Sequence, residues 1–119
     1  MRWFLNRFKY AFAGLAYAAR HDRSIRLQML AGICVIVAAL LLGCTIAEWL
    51  WLLLAITLVI AGEFLNSCIE KTVDYISLER HPLAGTIKDM AACAVLILSF
   101  FAAVCGILIL GPRLLTLFG

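Results

Sequence analysis

The sequence has little charge. Of its 119 residues, 14% are Asp, Glu, Lys or Arg, 66% are hydrophobic, and the mean hydropathy is +1.07. These values lie outside the range of soluble globular domains. They exclude an ordinary soluble protein and give no basis for a nucleic-acid partner. The sequence therefore predicts a single all-α domain that resides in a lipid bilayer.

Several familiar patterns are missing. None of the five cysteines forms a CxxC pair, and in apolar spans cysteine acts as a small hydrophobe, so we expect neither a disulfide nor a cysteine metal site. No GxxxxGK[ST] or GxGxxG loop occurs, which excludes nucleotide sites of the Walker and protein-kinase types. The basic, amphipathic segment before the first apolar run is too long for a signal peptide, so we expect no cleavage.

Long uncharged runs do occur. Residues 27–47 and 90–112 carry no charge and match the roughly 20 residues that a helix needs to cross the hydrocarbon. Residues 49–62 fall short of a full crossing and complete one only by including Glu63. We predict membrane-spanning helices at about 27–46, 48–76 and 88–112. An acid at membrane depth is costly, which makes Glu63 a candidate functional residue.

Basic residues are unevenly distributed. Nine of the ten Lys and Arg residues lie before the first span or between the second and third, whereas the 43–48 connection has none. By the positive-inside rule, the N-terminus and the second loop face the cytoplasm. Residues 3–20 predict an amphipathic helix at the membrane surface. The short 43–48 connection predicts an antiparallel hairpin, and we expect Gly85 to lie in a loop before the third span.

The most informative stretch is residues 63–74. Glu63, Asn66, Glu70 and Asp74 lie at i, i+3, i+7 and i+11, positions that share one face of a helix. Ser67 borders this polar stripe, which starts at membrane depth and rises about 16 Å. The stripe could therefore bind a lipid headgroup at one end and a soluble ligand at the other.

Cations follow in the next segment. Lys88 and Asp89 stand where we expect the third helix to begin, so that the lysine would add its charge to the backbone N–H groups of a helix N-terminus. Carboxylates that hold Mg²⁺ and a lysine that neutralises phosphate charge suit phosphoryl transfer. For Asp74 and Glu79, an ordinary solvated face is the alternative interpretation, and for Lys88 it is a lysine that snorkels from a helix end.

At these residues the sequence resembles the prokaryotic diacylglycerol kinase family. The family signature E-x-x-N-[ST]-x-[IVL]-E-x-x-V-D is matched in full by residues 63–74. The block HPLAGTIKDMAACAVLI and the N-terminal FKYAFAGLAYAARHDRSIR resemble two further family stretches. The resemblance covers essentially the whole chain, and both the diacylglycerol kinase and undecaprenol kinase branches share it.

This resemblance implies three transmembrane helices plus a surface helix, assembled as a homotrimer with shared active sites in the bacterial inner membrane. It implies that Glu63 is the catalytic base for the lipid hydroxyl, that Asn66 positions the reacting groups and that Ser67 contacts the lipid. The implied Mg²⁺ ligands are Asp22 and Glu70. The positions implied to bind ATP are Tyr10, Asp22, Glu70, Asp74, Glu79, His81, Lys88 and Asp89.

The sequence departs from the family pattern in places. Asp22 replaces the usual glutamate and is one methylene shorter, and Gln28 stands where some members have an acid. The N-terminal pattern looks closer to the undecaprenol branch, so undecaprenol is the expected substrate and diacylglycerol the alternative. A different class of function, an intramembrane ion-binding or transport subunit that uses Glu63, is the second hypothesis. A structural membrane anchor is the third.

Overall fold

The computed structural model describes residues 1–76 and 81–119. Its four helices are α1 (Arg2–His21), α2 (Arg23–Leu42), α3 (Ile46–Ile76) and α4 (Pro82–Phe118). Helices α2, α3 and α4 are each long and apolar enough to cross a membrane. No strand occurs in the described ranges. The predicted fold, three spanning helices preceded by an amphipathic helix, is confirmed.

Asp22 forms the corner between α1 and α2. Its extended backbone (φ −117°, ψ 107°) ends the first helix, and its side chain accepts a hydrogen bond from Ile25 N to begin the second. The guanidinium of Arg26 donates to Ala19 O and Arg20 O, at 3.3 and 2.9 Å. These bonds satisfy carbonyls that a helix end leaves without a partner. The polar residues before the first span thus fix the corner between α1 and α2.

The hairpin between α2 and α3 is tight, as predicted. Gly43 ends α2 with φ 66° and ψ 49°, a left-handed conformation that costs glycine little. Thr45 and Glu48 then form a reciprocal capping box: Glu48 N donates to Thr45 Oγ1 at 3.2 Å, and Thr45 N donates to Glu48 Oε1 at 2.9 Å. Local hydrogen bonding therefore ends one helix and starts the next within three residues.

The start of α4 differs from the prediction. His81 caps the helix by accepting from Leu83 N at 3.1 Å, and Pro82 occupies its first turn. A proline is well tolerated there, because a backbone N–H at this position would have no partner within the helix. The expectation that Gly85 lies in a loop is wrong, because the helix has already begun. The expectation that Lys88 stands at a helix N-terminus is wrong for the same reason, since Lys88 lies about 9 Å further along the axis.

Two ion pairs bracket the antiparallel packing of α3 and α4. Lys88 Nζ lies 2.6 Å from Asp74 Oδ1 at one end, and Arg113 pairs with Glu48 at the other. Along α3 the two acids are about 39 Å apart. Between them the helices approach closely, because a Cβ added at Gly62 would lie 2.5 Å from Leu98 Cδ1. These contacts align the two helices, so the position of any α4 residue along the helix axis can be compared with that of residues on α3.

One face of α3 is buried. Four of its five buried residues recur at helical spacing and lead to a charged member: Leu52, Ala55, Val59 and Glu63. The same face continues toward the end of the helix as the polar stripe predicted from the sequence. The fold thus places the start of the polar stripe at the inner end of an apolar core.

Candidate functional site

Glu63 is the buried acid of this region, with 7% of its surface exposed. Its polar neighbours are the side chain of Gln28 on α2 and the carboxyls of Asp22 and Glu70. A carboxyl held among apolar helices is costly, and such residues generally mark functional sites. The fold therefore places the Glu63 carboxyl out of bulk water at the inner end of the polar stripe.

Asp22 is tied to α3 as well as to its own helix. Its Oδ1 accepts from Ile25 N at 3.1 Å, and its Oδ2 accepts a hydrogen bond from Ser67 Oγ. Partial burial raises the pKa of the Asp22 carboxyl, but these hydrogen bonds and the nearby charge of Lys71 outweigh it, so that its pKa lies below the usual value. Asp22 is therefore ionised at neutral pH and fixed in position near Glu63.

Asn66 lies one helical turn from Glu63 and is half-buried. Among the described residues, its Oδ1 is a buried polar atom without a hydrogen-bond partner. Such an atom is uncommon because an unmet hydrogen bond costs about 1–3 kcal/mol. An incoming group could satisfy the amide, which is the arrangement expected of a residue that positions a substrate.

The outer part of the stripe is open to solvent. Glu70 and Asp74 are exposed, and Asp74 binds Lys88 of α4 at 2.6 Å. The lysine keeps about a third of its side chain exposed. Because a cation that is only partly covered can also bind a phosphate, this end of the stripe suits an anionic soluble ligand.

The remaining predicted residues are less closely connected. Tyr10 is exposed on α1, and Asp89 is exposed on α4. His81 uses Nδ1 to cap α4, as described above. Glu79 lies outside the described residues. The single chain thus brings together Asp22, Glu63, Asn66 and Ser67 and joins Asp74 to Lys88, while the ligand-binding roles assigned to all these positions stay predictions.

Two nearby residues were not predicted as site members. Lys71 Nζ lies 5.9 Å from the centre of the Tyr17 ring, and that ring stacks on His21 at 4.3 Å. Cation–π contacts at this distance are favourable, so Lys71 holds α1 near the stripe. Gln28 is the other, since it neighbours Glu63. The sequence signal that could have identified Gln28 is its place in the family pattern, where some members have an acid. No comparable signal pointed to Lys71.

The carboxylates suit a magnesium ion bound to a nucleotide. Mg²⁺ in such sites takes oxygen ligands, commonly one or two carboxylates together with phosphates and water. Asp22 and Glu70 both neighbour Glu63, so the two implied ligands lie around the same carboxyl. Within residues 1–76 and 81–119, no group of three or more His, Cys, Asp or Glu side chains forms a complete metal cage. The donor set fits an ion that arrives with its substrate.

Comparison with known proteins decides the family. The sequence matches the family described as prokaryotic diacylglycerol kinase over residues 9–110, which is most of the chain. The chain belongs to the prokaryotic diacylglycerol kinase family. It is accordingly a lipid kinase of a prokaryotic membrane family, and the resemblance inferred from the signature at residues 63–74 is confirmed.

Individual members of the prokaryotic diacylglycerol kinase family are similar over most of the chain. The undecaprenol kinase of Bacillus subtilis is 35% identical over 111 residues, which is 93% of this chain and 90% of that protein. The diacylglycerol kinase of Synechocystis is 39% identical over 92% of this chain and 63% of that protein. The diacylglycerol kinase of Pseudomonas aeruginosa is 39% identical over 76% of this chain and 73% of that protein.

Proposed function

We propose that this lipid kinase transfers the γ-phosphoryl group of Mg-ATP to the hydroxyl of undecaprenol. The observation that carries the mechanism is the buried Glu63 at the inner end of a polar stripe whose outer end holds Asp74 and Lys88. That layout separates an apolar entry for a lipid from an aqueous entry for a nucleotide. Similarity to the Bacillus subtilis undecaprenol kinase over 93% of this chain supports the choice of lipid.

The chemistry requires one proton acceptor and stabilisation of phosphate charge. The lipid oxygen forms a bond to the γ-phosphorus while the bond to the bridging oxygen of ADP breaks, and the hydroxyl proton moves to the Glu63 carboxylate. Asn66, whose Oδ1 has no hydrogen-bond partner, lies one helical turn from Glu63 and would position the reacting groups beside it. Lys88 offsets the negative charge on the phosphates. ADP leaves toward the side from which ATP came.

When bound, Mg²⁺ would supply positive charge that stabilises the phosphates of ATP. Asp22 and Glu70 are the residues that would hold it. The hydrogen bonds from Ile25 N and Ser67 Oγ fix the Asp22 carboxylate in place. Such positioning can compensate for a side chain one methylene shorter than a glutamate, because a pre-oriented ligand loses little conformational freedom on binding.

The surroundings of the site are part of this proposal. We infer a homotrimer in the bacterial inner membrane, with the N-terminus and the nucleotide end of the stripe on the cytoplasmic side. Exposed Tyr10, Glu70 and Asp89 would then lie where a neighbouring subunit can complete the nucleotide site, and His81 and Glu79 would border it.

Diacylglycerol is the second candidate substrate. The diacylglycerol kinases of Synechocystis and Pseudomonas aeruginosa are each 39% identical to this chain over the aligned residues. The two lipids share a primary hydroxyl but differ in the chain beside it. The catalytic residues proposed above serve either lipid, so the chain-binding surface and not Glu63 would decide between them.

A parallel transfer assay tests both points. The purified protein in mixed micelles would receive labelled γ-phosphate from Mg-ATP, with undecaprenol or diacylglycerol as acceptor. We expect faster transfer to undecaprenol. Preference for diacylglycerol would overturn the choice of lipid, and transfer to neither by a folded sample would overturn the proposed reaction.

The Glu63→Gln variant tests the base. It removes the proton acceptor while keeping size and hydrogen-bonding capacity, so transfer should fall by roughly 10²–10⁴-fold. Nucleotide binding and thermal stability should stay close to those of the unmodified protein. Retention of full transfer by this variant would remove Glu63 from the mechanism.

A further inference from the structure

A cavity of about 90 Å³ lies between all three spanning helices. Gln28 is its polar lining residue, and every other lining side chain is aliphatic or absent. Small residues open it from both sides, including Gly32 on α2 and Ala102 and Gly106 on α4. Protein interiors seldom leave space of this size unfilled, and an apolar space at bilayer depth suits a hydrocarbon chain.

The cavity adjoins the proposed reaction site through a shared residue, Gln28. Of the lining residues on α2, Gln28 lies nearest the start of the helix, and it is also a polar neighbour of Glu63. From there the lining follows α3 through Ile60 and Val59 to Leu52, a length of about 12 Å. A hydroxyl held at Glu63 must be followed by the rest of its lipid. The cavity is the apolar space that leads away from this hydroxyl into the membrane layer.

The antiparallel packing of α3 and α4 orders the residues of the cavity by depth. Gly62 contacts Leu98, so Leu98 marks the level of the reaction site on α4. Ala102 lies about 6 Å deeper than Leu98, and Gly106 lies about 12 Å deeper. Ala102 therefore faces the middle of the cavity, and Gly106 lies beside its far end.

We propose that this cavity binds the segment of the substrate's hydrocarbon chain next to the hydroxyl, and that Ala102 and Gly106 set how long a segment of that chain the cavity accommodates. The inference rests on the proposed lipid kinase function and adds specificity-determining residues to it. Any side chain larger than hydrogen at Gly106 would occupy the far end. A larger side chain at Ala102 would close the cavity halfway along.

The helix supplies a matched control. A Cβ added at Gly106 or at Gly111 meets no atom within 4 Å, so a leucine at either position has room to leave the backbone. Both glycines lie in α4, and replacing either gains similar helix propensity. Gly106 lines the cavity and Gly111 does not. A difference between the two variants would therefore report on the cavity.

The experiment measures kcat/KM in mixed micelles for acceptors of increasing chain length. The probes are prenols from geraniol to undecaprenol and diacylglycerols from dibutyryl to dipalmitoyl, used at equal micellar mole fraction. We expect Gly106→Leu to lose about tenfold with long-chain acceptors, the size expected when a packed apolar site must accept extra volume. For Ala102→Leu, the loss of activity should begin at a shorter acceptor chain length than for Gly106→Leu. Gly111→Leu should match the unmodified protein.

Several results distinguish the outcomes. Equal activity of Gly106→Leu, Ala102→Leu and Gly111→Leu at every chain length would overturn the chain-binding assignment while leaving the kinase reaction intact. A loss that is the same for the shortest acceptors, or a raised KM for Mg-ATP, would also overturn it, because either result points to general distortion. If the unmodified protein phosphorylates none of the probes, the proposed function itself fails. Thermal melting of each variant checks its folding, and Ala102→Leu keeps the test available should Gly106→Leu fold poorly.

Discussion

Removing the hydroxyl of Ser67 should weaken the joint between the α1–α2 corner and α3. In the Ser67→Ala variant, Asp22 Oδ2 loses its donor while Oδ1 keeps Ile25 N. A hydrogen bond to a charged group contributes about 1.5–3 kcal/mol. Because the Asp22 carboxyl is partly open to water, which can replace the lost donor, we expect a loss of about 1–1.5 kcal/mol, at or just below the lower end of that range. Thr72→Ala is the control, since the Thr72 hydroxyl donates to Cys68 O within α3.

A double-mutant cycle with Asp22→Asn isolates this bond. Asparagine caps a helix about as well as aspartate, so the variant keeps the bond from Ile25 N and loses the charge. The free energy of unfolding would be measured in detergent for both single variants and the double variant. We expect a coupling free energy of about 1 kcal/mol. A coupling below about 0.3 kcal/mol, within ordinary additivity error, or equal effects of Ser67→Ala and Thr72→Ala, would refute the reasoning.

The same bond predicts a pH dependence. The pKa of Asp22 is lowered in the folded protein from an ordinary value of 3.8. The stabilisation is therefore complete above the unfolded pKa and is lost as the pH falls through the lower folded pKa. The stability difference between the unmodified protein and Ser67→Ala should stay constant from pH 7 to about pH 5 and shrink below the ordinary pKa. A constant difference down to pH 2 would show that the charge of Asp22 contributes nothing.

Three further outcomes are expected. Lys88→Met should raise the KM for Mg-ATP roughly tenfold without changing the KM for lipid. Steady-state kinetics with each substrate varied in turn would measure this, and equal changes in the two KM values would contradict a phosphate role for Lys88. Arg113→Gln should lower the thermal melting temperature by removing the partner of Glu48, while the KM for Mg-ATP of the folded enzyme stays unchanged, and a raised KM would contradict a purely structural role. Gly62→Val should destabilise the α3–α4 contact by about 1–3 kcal/mol, measured by unfolding in detergent. Gly14→Val in α1 is the control and should show no steric loss, because an added Cβ there meets no atom within 4 Å. Equal effects of the two substitutions would contradict the close packing.

Patterns local in sequence predicted much of this fold. Uncharged length identified the spanning helices, and spacing of three or four residues placed Glu63 and Asn66 on one face of α3. Both inferences depend on helix geometry that the sequence already determines. The error at the start of α4 was also local: Gly85 was placed in a loop, although Pro82 before it is well suited to a first turn that a residue such as His81 caps.

Contacts between distant residues could not be predicted in this way. Ser67 and Asp22 are 45 residues apart, and Arg113 lies 65 residues from Glu48. No periodicity relates such pairs, since their meeting depends on how whole helices pack. The cavity beside Gly106 belongs to the same class. Family resemblance predicted which residues matter for the reaction, but the way Asp22 is held became visible only in three dimensions.

The separation of the two ion pairs at the ends of α3 and α4 also makes the protein sensitive to bilayer thickness. Their separation of about 39 Å exceeds a hydrocarbon layer of about 30 Å, so both pairs lie in the interfacial regions when the bilayer has ordinary thickness. A thicker membrane would draw one charged pair into hydrocarbon and favour local thinning of the lipid or a change of tilt. The depth of Glu63 is thus set from both ends, and hydrophobic mismatch becomes a physical variable to which this lipid kinase should respond.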